Sequence, residues 1–230
     1  MSESNNYSKL PSEKELGDRL TEVKERISEI TPLDSVKIIC VTKGFPVGTV
    51  ESMGDLGVCD FGENYQQELS SKATVVKDVN WHFIGAVQRS KLKKIAEISC
   101  AIHSVSRISE IAELARLSYR GEVFLQVRSD DEVGRNGFQL KDLKEGVDLS
   151  RSVDLNIVGL MGVASITSGY RAPEFFRLMR DLCDRYGLKR CSMGMSDDFE
   201  LALMNGATDL RLGRVLLGPR PTNSPGASRN

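Results

Sequence analysis

The sequence predicts an α/β fold, a single (β/α)8 TIM-type barrel with one additional helix at its N-terminus. Short apolar, β-branched runs alternate with longer amphipathic segments along the chain, and this alternation indicates parallel strands joined by crossover helices. Eight such runs fit within 230 residues, which favours a closed barrel. Because alternation alone does not show closure, an open eight-stranded sheet is the alternative.

The N-terminal helix is predicted over residues 12–30, before a break at Thr31-Pro32. Its apolar residues recur at helical spacing, at Leu16, Leu20, Val23, Ile27 and Ile30. The eight strands are predicted at residues 36–42, 60–63, 81–85, 101–105, 122–127, 156–163, 191–195 and 209–212. The helices between them are predicted at residues 47–56, 65–76, 89–98, 108–118, 140–149, 173–186 and 197–205. Gly57, Gly187 and Gly206 stand where helix C-terminal caps belong.

The domain organisation follows from the same pattern. No Pro/Gly/Ser-rich linker interrupts the alternation, so we expect one barrel domain over residues 1–218. Residues 219–230 are polar and are expected to form a disordered tail.

The composition argues against several classes of function. Lys and Arg number 31 and Asp and Glu number 32, for a net charge of −1, so no broad field draws the protein to nucleic acid or an anionic membrane. No apolar stretch approaches the roughly 18–20 residues of a membrane span, and the polar residues 1–10 do not form a signal peptide. We therefore expect a cytoplasmic protein.

The five cysteines are widely spread and include no CxxC pair. They are expected to be reduced and to pack as small apolar residues. A zinc site is disfavoured, because His82 and His103 are the histidines available to join them and the spacing matches no metal motif.

Side chains at the C-terminal ends of barrel strands converge on one mouth, where barrel enzymes place their sites. The residues at those positions are Lys43, Asn64, His82, Met161, Ser196, Arg211, Gly213 and Arg214. Lys43 shares a strand face with Ile39 and Val41, so it points inward if they fill the barrel. Burial lowers the pKa of a lysine and makes its amine a nucleophile toward an aldehyde. The alternative is a lysine that turns out to solvent.

Two half-sites for a phosphate are predicted after strands seven and eight. Ser196 is expected to cap the helix that Asp197 and Asp198 begin, and free N–H groups at a helix start hold anions. Gly213 lets the backbone approach a ligand, and the N–H groups of Gly213 and Arg214 would face the same point. Plain helix capping is the alternative for Ser196.

Three other mouth residues have two interpretations each. Arg211 lies inside a strand and either serves the site or pairs with a carboxylate such as Asp60 or Glu63. Asn64 either caps a helix or reaches a ligand hydroxyl. His82, on an apolar strand, is either a core histidine or a ligand contact.

Taken together, these motifs resemble the pyridoxal phosphate homeostasis protein family, which is similar to the N-terminal barrel of alanine racemase. The resemblance extends from about residue 36 to residue 218. The segments that carry it are VTK at 41–43, FGENYQQE at 61–68, WHFIG at 81–85, GLM at 159–161, SMGMSDD at 192–198 and RLG at 211–213.

The resemblance implies a site for pyridoxal 5′-phosphate (PLP), with Lys43 as the Schiff-base lysine. Ser196, Gly213 and Arg214 match phosphate-binding positions, and Arg211 matches the arginine that faces the pyridine nitrogen. Asn64, His82 and Met161 match residues that line the ring in the family. Two features depart from the family. Arg214 stands where the family commonly has a small hydroxyl residue, and the sequence of the loop at 165–169 differs from that of the family.

The family's role implies a protein of vitamin B6 homeostasis without substantial catalysis, with PLP-dependent apo-enzymes as recipients. An arginine at the ring nitrogen leaves it unprotonated and makes the ring a weak electron sink. Racemisation also needs an acid/base on each face of the substrate carbon, and neither Tyr65 nor Tyr170 is placed opposite Lys43 by the sequence. A monomer is expected because the dimerising second domain of racemases is missing. The alternatives are a weak amino-acid racemase or lyase, and a phosphosugar aldolase that uses Lys43.

Overall fold

Eight parallel strands form a closed barrel in sequence order, with β1 paired to both β2 and β8. This computed structural model describes residues 10–128, 136–164 and 172–221. The strands are β1 (Lys37–Val41), β2 (Asp60–Glu63), β3 (Asn80–Phe83), β4 (Ala101–Val105), β5 (Glu122–Val127), β6 (Ile157–Gly162), β7 (Arg190–Ser192) and β8 (Asp209–Leu212). The predicted (β/α)8 barrel is confirmed, and the open-sheet alternative is wrong because β8 closes on β1.

The helices follow the predicted order with shifted ends. They are α1 (Glu13–Ser28), α2 (Val47–Asp55), α3 (Gln66–Val75), α4 (Leu92–Ile98), α5 (Ile108–Arg116), α6 (Leu143–Ser152), α7 (Ala172–Arg185), α8 (Phe199–Met204) and α9 (Arg214–Leu217). Short 3-10 helices precede β1 and α4, at Leu33–Ser35 and Arg89–Lys91. None of the helices within the described ranges is long and apolar enough to cross a bilayer.

The additional N-terminal helix takes the place of a long eighth helix. Ser12 and Glu15 form a capping box at its start, the Ser12 hydroxyl accepting from the Glu15 N–H at 3.3 Å. The buried face of α1 packs against α9, which has one turn only. Burial of this face stabilises the barrel where β1 meets β8.

The main apolar core lies between the barrel wall and the helices, whereas the barrel interior is partly polar. Large side chains such as Phe61, Phe83 and Phe175 are fully buried in the outer layer. Inside the barrel, His82 and His103 are fully buried as well. Polar groups in such a place must find hydrogen-bond partners, and the partners they find define a feature described below.

Gly159 is expected to be intolerant of substitution, because a Cβ there would lie 2.1 Å from the carbonyl oxygen of Arg190 on the neighbouring strand. We expect Gly159→Ala to lower the free energy of unfolding by about 1–3 kcal/mol through this overpacking. Gly54→Ala is the control, because a Cβ at Gly54 in α2 meets nothing within 4 Å. Urea titration of both variants checks the prediction, and equal midpoints would contradict it.

Candidate functional site

A cavity of about 740 Å³ opens at the C-terminal ends of the strands. Seven of the eight residues that the sequence singles out line it, namely Lys43, Asn64, Met161, Ser196, Arg211, Gly213 and Arg214. The expected tail also begins there, because Pro219 and Arg220 line the same cavity. Residues 222–230 of that tail, and the loop at 165–169 with Tyr170, lie outside the described residues.

His82 is the exception, and its expected place beside a ligand is not supported. It is fully buried in the barrel interior and does not line the cavity. Its ring nitrogens lie 2.9 Å from Asp60 Oδ1 and 3.0 Å from His103 Nε2. The alternative interpretation, a core histidine with satisfied hydrogen bonds, describes its position.

Lys43 follows β1 and extends into the cavity, where it is half-buried. The alternative in which this side chain turns out to solvent is therefore wrong. Burial lowers the pKa of the Lys43 amine, and the positive charge of Arg220 lowers it further. A lysine with a lowered pKa holds more of its amine in the neutral, nucleophilic form near pH 7.

The backbone on both sides of Lys43 is held by a buried charge cluster, defined as Glu63, Glu68 and Lys72. The Lys72 ammonium donates to the Thr42 carbonyl at 2.8 Å and to Glu63 Oε1 at 2.6 Å. The Gly44 N–H donates to Glu68 Oε2 at 2.7 Å. The cluster therefore fixes the chain directly before and after the lysine.

Lys72 was not found by reasoning from the sequence, although it is buried on α3 together with Leu69. The signal was available, since Glu68 and Lys72 are four residues apart and form an ion pair on one face of the helix. A lysine on the inner face of a helix needs a buried carboxylate, and Glu63 at the end of β2 supplies it.

Arg211 lies on the floor of the cavity and is 5 % exposed. Its guanidinium donates to Ser192 Oγ at 2.8 Å and to the Gly162 carbonyl at 2.9 Å. The suggested pairing with Asp60 or Glu63 is wrong, because those carboxylates bond other residues. Burial lowers the pKa of Arg211 to about 10, so the side chain stays cationic at neutral pH.

Ser196 does not cap the helix that follows it, which corrects the prediction for this segment. The next helix, α8, begins three residues later at Phe199. The Asp198 carboxylate accepts from the Met195 N–H at 2.6 Å. The Ser196 hydroxyl instead accepts from the N–H of Val215, the second residue of α9, at 3.1 Å, and a hydroxyl can donate as well as accept. Ser196 therefore connects the loop after β7 to the segment after β8.

Arg214 places its guanidinium in an ion pair with Asp197 at the cavity rim. Both side chains are more than half exposed, at 64 % and 78 %. The guanidinium is therefore already engaged by a carboxylate from the neighbouring loop.

Asn64 brings a buried oxygen without a partner to the cavity wall. Its Oδ1 has no hydrogen-bond partner among the described residues, and the residue lines the cavity. Gly85 makes room for the Asn64 backbone, since a Cβ at Gly85 would lie 1.8 Å from the Asn64 carbonyl oxygen. A buried acceptor left in this state suits a ligand that donates a hydrogen bond.

The charges of the cavity favour an anion. Four of its described lining side chains are cationic, namely Lys43, Arg211, Arg214 and Arg220, and one, Asp197, is acidic. A phosphate at Ser196, a hydroxyl at Asn64 and an aldehyde at Lys43 would each find a suitable group. The described residues contain no cluster of three or more His, Cys, Asp or Glu side chains suited to a metal ion.

The fold and the cavity thus define a barrel protein with an inward-facing lysine and a cationic site. Comparison by sequence gives the Pseudomonas aeruginosa pyridoxal phosphate homeostasis protein, 36 % identical over 201 residues, 83 % of this chain and 87 % of the relative. The Schizosaccharomyces pombe protein of the same name is 32 % identical over 88 % of this chain and 92 % of its own length. The chain therefore belongs to the pyridoxal phosphate homeostasis protein family, which confirms the resemblance found in the sequence.

Solved structures agree with this assignment, although no family model matches the chain. PipY of Synechococcus elongatus without PLP has a TM-score of 0.80 at 29 % identity, over 88 % of this chain and the whole of PipY. PipY with PLP bound has a TM-score of 0.73. Alanine racemase from Bartonella henselae, 13 % identical with a TM-score of 0.69, shares the fold over 94 % of this chain and 61 % of the racemase.

Proposed function

We propose that this protein binds PLP as a Schiff base on Lys43 and serves in vitamin B6 homeostasis as a carrier of the cofactor. The observation that carries the proposal is Lys43, a half-buried amine with a lowered pKa that faces a cationic cavity. Membership of the family and the PLP-bound structure of PipY support it. In bond formation, Lys43 Nζ would bond the aldehyde carbon, and the aldehyde oxygen would leave as water.

In this proposal, each of the other cavity residues contacts a different part of the cofactor. Ser196, Gly213 and Arg214 lie toward the phosphate, and the Asn64 oxygen accepts from the ring hydroxyl. Arg211 faces the ring nitrogen, and Met161, which also lines the cavity, packs against the ring. His82 has no direct part, because it lies below the cavity floor.

Bound PLP supplies an aldehyde and an electron-accepting ring. The Arg211 guanidinium can only donate hydrogen bonds, so the ring nitrogen facing it would accept one and carry no proton. An unprotonated ring nitrogen makes the ring a weaker electron acceptor. Tyr65, the tyrosine next to Asn64, is exposed and does not line the cavity, so it is not placed to act as a second acid/base. These points favour a carrier, with a weak amino-acid racemase or lyase as the alternative.

The decisive measurement for binding is borohydride reduction of the purified protein after incubation with PLP. We expect visible absorption before reduction and, after it, a pyridoxyl group on the peptide that contains Lys43. A colourless protein, or an adduct distributed over exposed lysines, would overturn the proposal.

A separate measurement distinguishes a carrier from an enzyme. The loaded protein is incubated with single L-amino acids in heavy water, and exchange at Cα is followed by NMR. We expect exchange no faster than with free PLP, and rapid exchange would favour the racemase or lyase. Release of the bound cofactor to a PLP-dependent apo-enzyme, measured by the recovered activity of that enzyme, tests delivery. Sedimentation velocity tests the proposed monomer.

Arg214 is expected to contribute little to phosphate binding through its side chain, because Asp197 already engages the guanidinium. We expect Arg214→Ser to change the free energy of unfolding by less than about 1 kcal/mol and the affinity for PLP by less than about fivefold. Asp197→Asn is the matched variant, which releases the guanidinium and should tighten binding. Fluorescence titration with PLP measures both, and a large loss of affinity in Arg214→Ser would show that the guanidinium holds the phosphate.

A further inference from the structure

A continuous line of hydrogen bonds crosses the interior of the barrel from the cavity floor to the opposite mouth. Its members, called here the interior chain, are Arg211, Ser192, His103, His82 and Asp60. The successive separations are 2.8 Å from Arg211 Nη1 to Ser192 Oγ, 2.9 Å to His103 Nδ1, 3.0 Å from His103 Nε2 to His82 Nδ1, and 2.9 Å from His82 Nε2 to Asp60 Oδ1. The chain joins β8, β7, β4, β3 and β2 in that order.

When both imidazoles are neutral, the chemistry of the two ends fixes the direction of every bond between them. Arg211 donates and accepts nothing, and an ionised Asp60 accepts and donates nothing. Burial alone would raise the pKa of Asp60, but hydrogen bonds from His82 and Lys37 bring it below its ordinary value. The carboxyl is therefore ionised at neutral pH.

With both ends fixed, each neutral imidazole has one consistent tautomer. His82 must donate from Nε2 to Asp60, so its Nδ1 accepts from His103 Nε2–H. His103 Nδ1 then accepts from the Ser192 hydroxyl, and Ser192 Oγ accepts from Arg211. All four hydrogen bonds point from the cavity toward Asp60.

The histidines have little room to rearrange. His103 is fully buried and stacks on Phe124, with ring centroids 4.1 Å apart and an interplanar angle of 12°. Burial lowers the pKa of His103 well below its ordinary value, and the positive charge of Arg211 acts in the same direction. The His103 ring is therefore neutral and held flat, as a fixed connection between Ser192 and His82.

We propose that Ser192 and His103 are positioning residues for Arg211, and that the interior chain transmits the state of the cavity to His82 and Asp60 at the other mouth. This inference rests on the proposed function, since the group that Arg211 would meet is the bound cofactor. A ligand atom that accepts a hydrogen bond from the Arg211 guanidinium changes the hydrogen bond between Arg211 and Ser192. Because each residue between the two ends accepts a hydrogen bond from the previous member and donates one to the next, the change reaches both imidazoles.

The sequence contains two histidines, so the chain can be observed directly by NMR of ¹⁵N-histidine-labelled protein. In the ligand-free protein we expect both rings to carry their proton on Nε2. Addition of PLP should change the ¹⁵N chemical shifts of the ring nitrogens of both histidines, although neither histidine lines the cavity. Ser192→Ala should remove the response and weaken PLP binding by about tenfold to a hundredfold, the size expected for a buried bond to a charged group.

Two further variants separate positioning from a general structural effect. Ser192→Thr keeps the hydroxyl and should restore the histidine response. Ser150→Ala removes an equally buried hydroxyl, bonded to the Gly146 carbonyl in α6, and should leave the response unchanged.

Three results would overturn the inference. The first is a proton on Nδ1 of His103 in the ligand-free protein. The second is PLP-loaded protein in which the ¹⁵N shifts of the histidines do not change, and the third is Ser192→Ala protein in which they change as in the wild type. The first needs no variant and no cofactor, so it applies even if Ser192→Ala does not fold. Absence of bound PLP by visible absorption would instead contradict the proposed function, and the tautomer measurement would still test the chain by itself.

Discussion

Replacing Lys43 by alanine is expected to abolish the borohydride-stable pyridoxyl adduct and to weaken PLP binding by at least about a hundredfold, equivalent to about 3 kcal/mol. The loss follows from the removed covalent bond, since alanine has no amine to attack the aldehyde. The proposed phosphate contacts near Ser196 and the charge of Arg211 remain, so weak and reversible binding should persist. Absorption titration and mass spectrometry after reduction measure the two effects.

Two controls separate the amine from its charge and from lysine loss in general. Lys43→Arg keeps the positive charge without a nucleophile of comparable reactivity, and it should lose the adduct as completely as Lys43→Ala. Lys93→Ala removes an exposed lysine of α4 and should leave both absorption and adduct unchanged. An adduct of wild-type yield in Lys43→Ala would place the Schiff base on another residue.

The sequence was sufficient for the fold because every level of the pattern agreed. Short β-branched runs, amphipathic segments and capping glycines all indicated parallel strands with crossover helices, and all eight strands were found. The predicted ends of helices and strands were less accurate where a local turn stops the element early. The strand predicted over 191–195 ends at Ser192, because Gly194 adopts φ +90°, a conformation that turns the chain.

The mouth of the cavity was predictable for a simple geometric reason. Residues at the carboxyl ends of parallel strands must converge in a closed barrel, so each could be identified from its own strand. Ser196 lines the cavity, but its expected role as the cap of the following helix was wrong, since Ser, Asp and Asp are all good caps and the sequence does not decide which one is used. The structure shows that Asp198 holds the turn and leaves Ser196 to Val215.

Contacts between distant strands could not be predicted in this way. Ser192 and His103 are 89 positions apart, and neither carries a local signal of the other. His82 illustrates the same difficulty, since its position on β3 was known but not the depth at which its ring lies. Its partners determine that depth, and Asp60 and His103 come from the strands on either side.

The buried charge cluster has the largest expected effect on stability. We expect Lys72→Met to lower the free energy of unfolding by about 3–5 kcal/mol, because it leaves Glu63 as an uncompensated charge in the protein interior. Glu63 is fully buried, and its Oε2 has no partner among the described residues even in the wild type. The Thr42 carbonyl also loses one of its two donors and keeps the Phe45 N–H, so the backbone before Lys43 should loosen and PLP should bind more weakly.

The pH dependence of this loss gives a test specific to Glu63. Burial already raises the pKa of the Glu63 carboxyl, against the opposing effect of Lys72, and removal of Lys72 raises it further. The folded variant then binds more protons than the unfolded chain, so its free energy of unfolding falls as pH rises. The unfolded chain is nearly the same in both proteins, so the difference from wild type should be smallest below the raised pKa of Glu63 in the wild type and should grow as pH rises above it.

Two comparisons make the prediction about Lys72 testable by urea titration over that pH range. Lys77→Met removes an exposed lysine that bonds a backbone carbonyl, and it should change the free energy of unfolding by less than about 0.5 kcal/mol. The double variant Lys72→Met/Glu63→Leu removes both charges and should recover much of the stability. If that variant is as unstable as Lys72→Met and shows the same pH dependence, then the unpaired carboxylate is not the cause. The cluster would then stabilise the protein mainly through packing and through the Thr42 carbonyl.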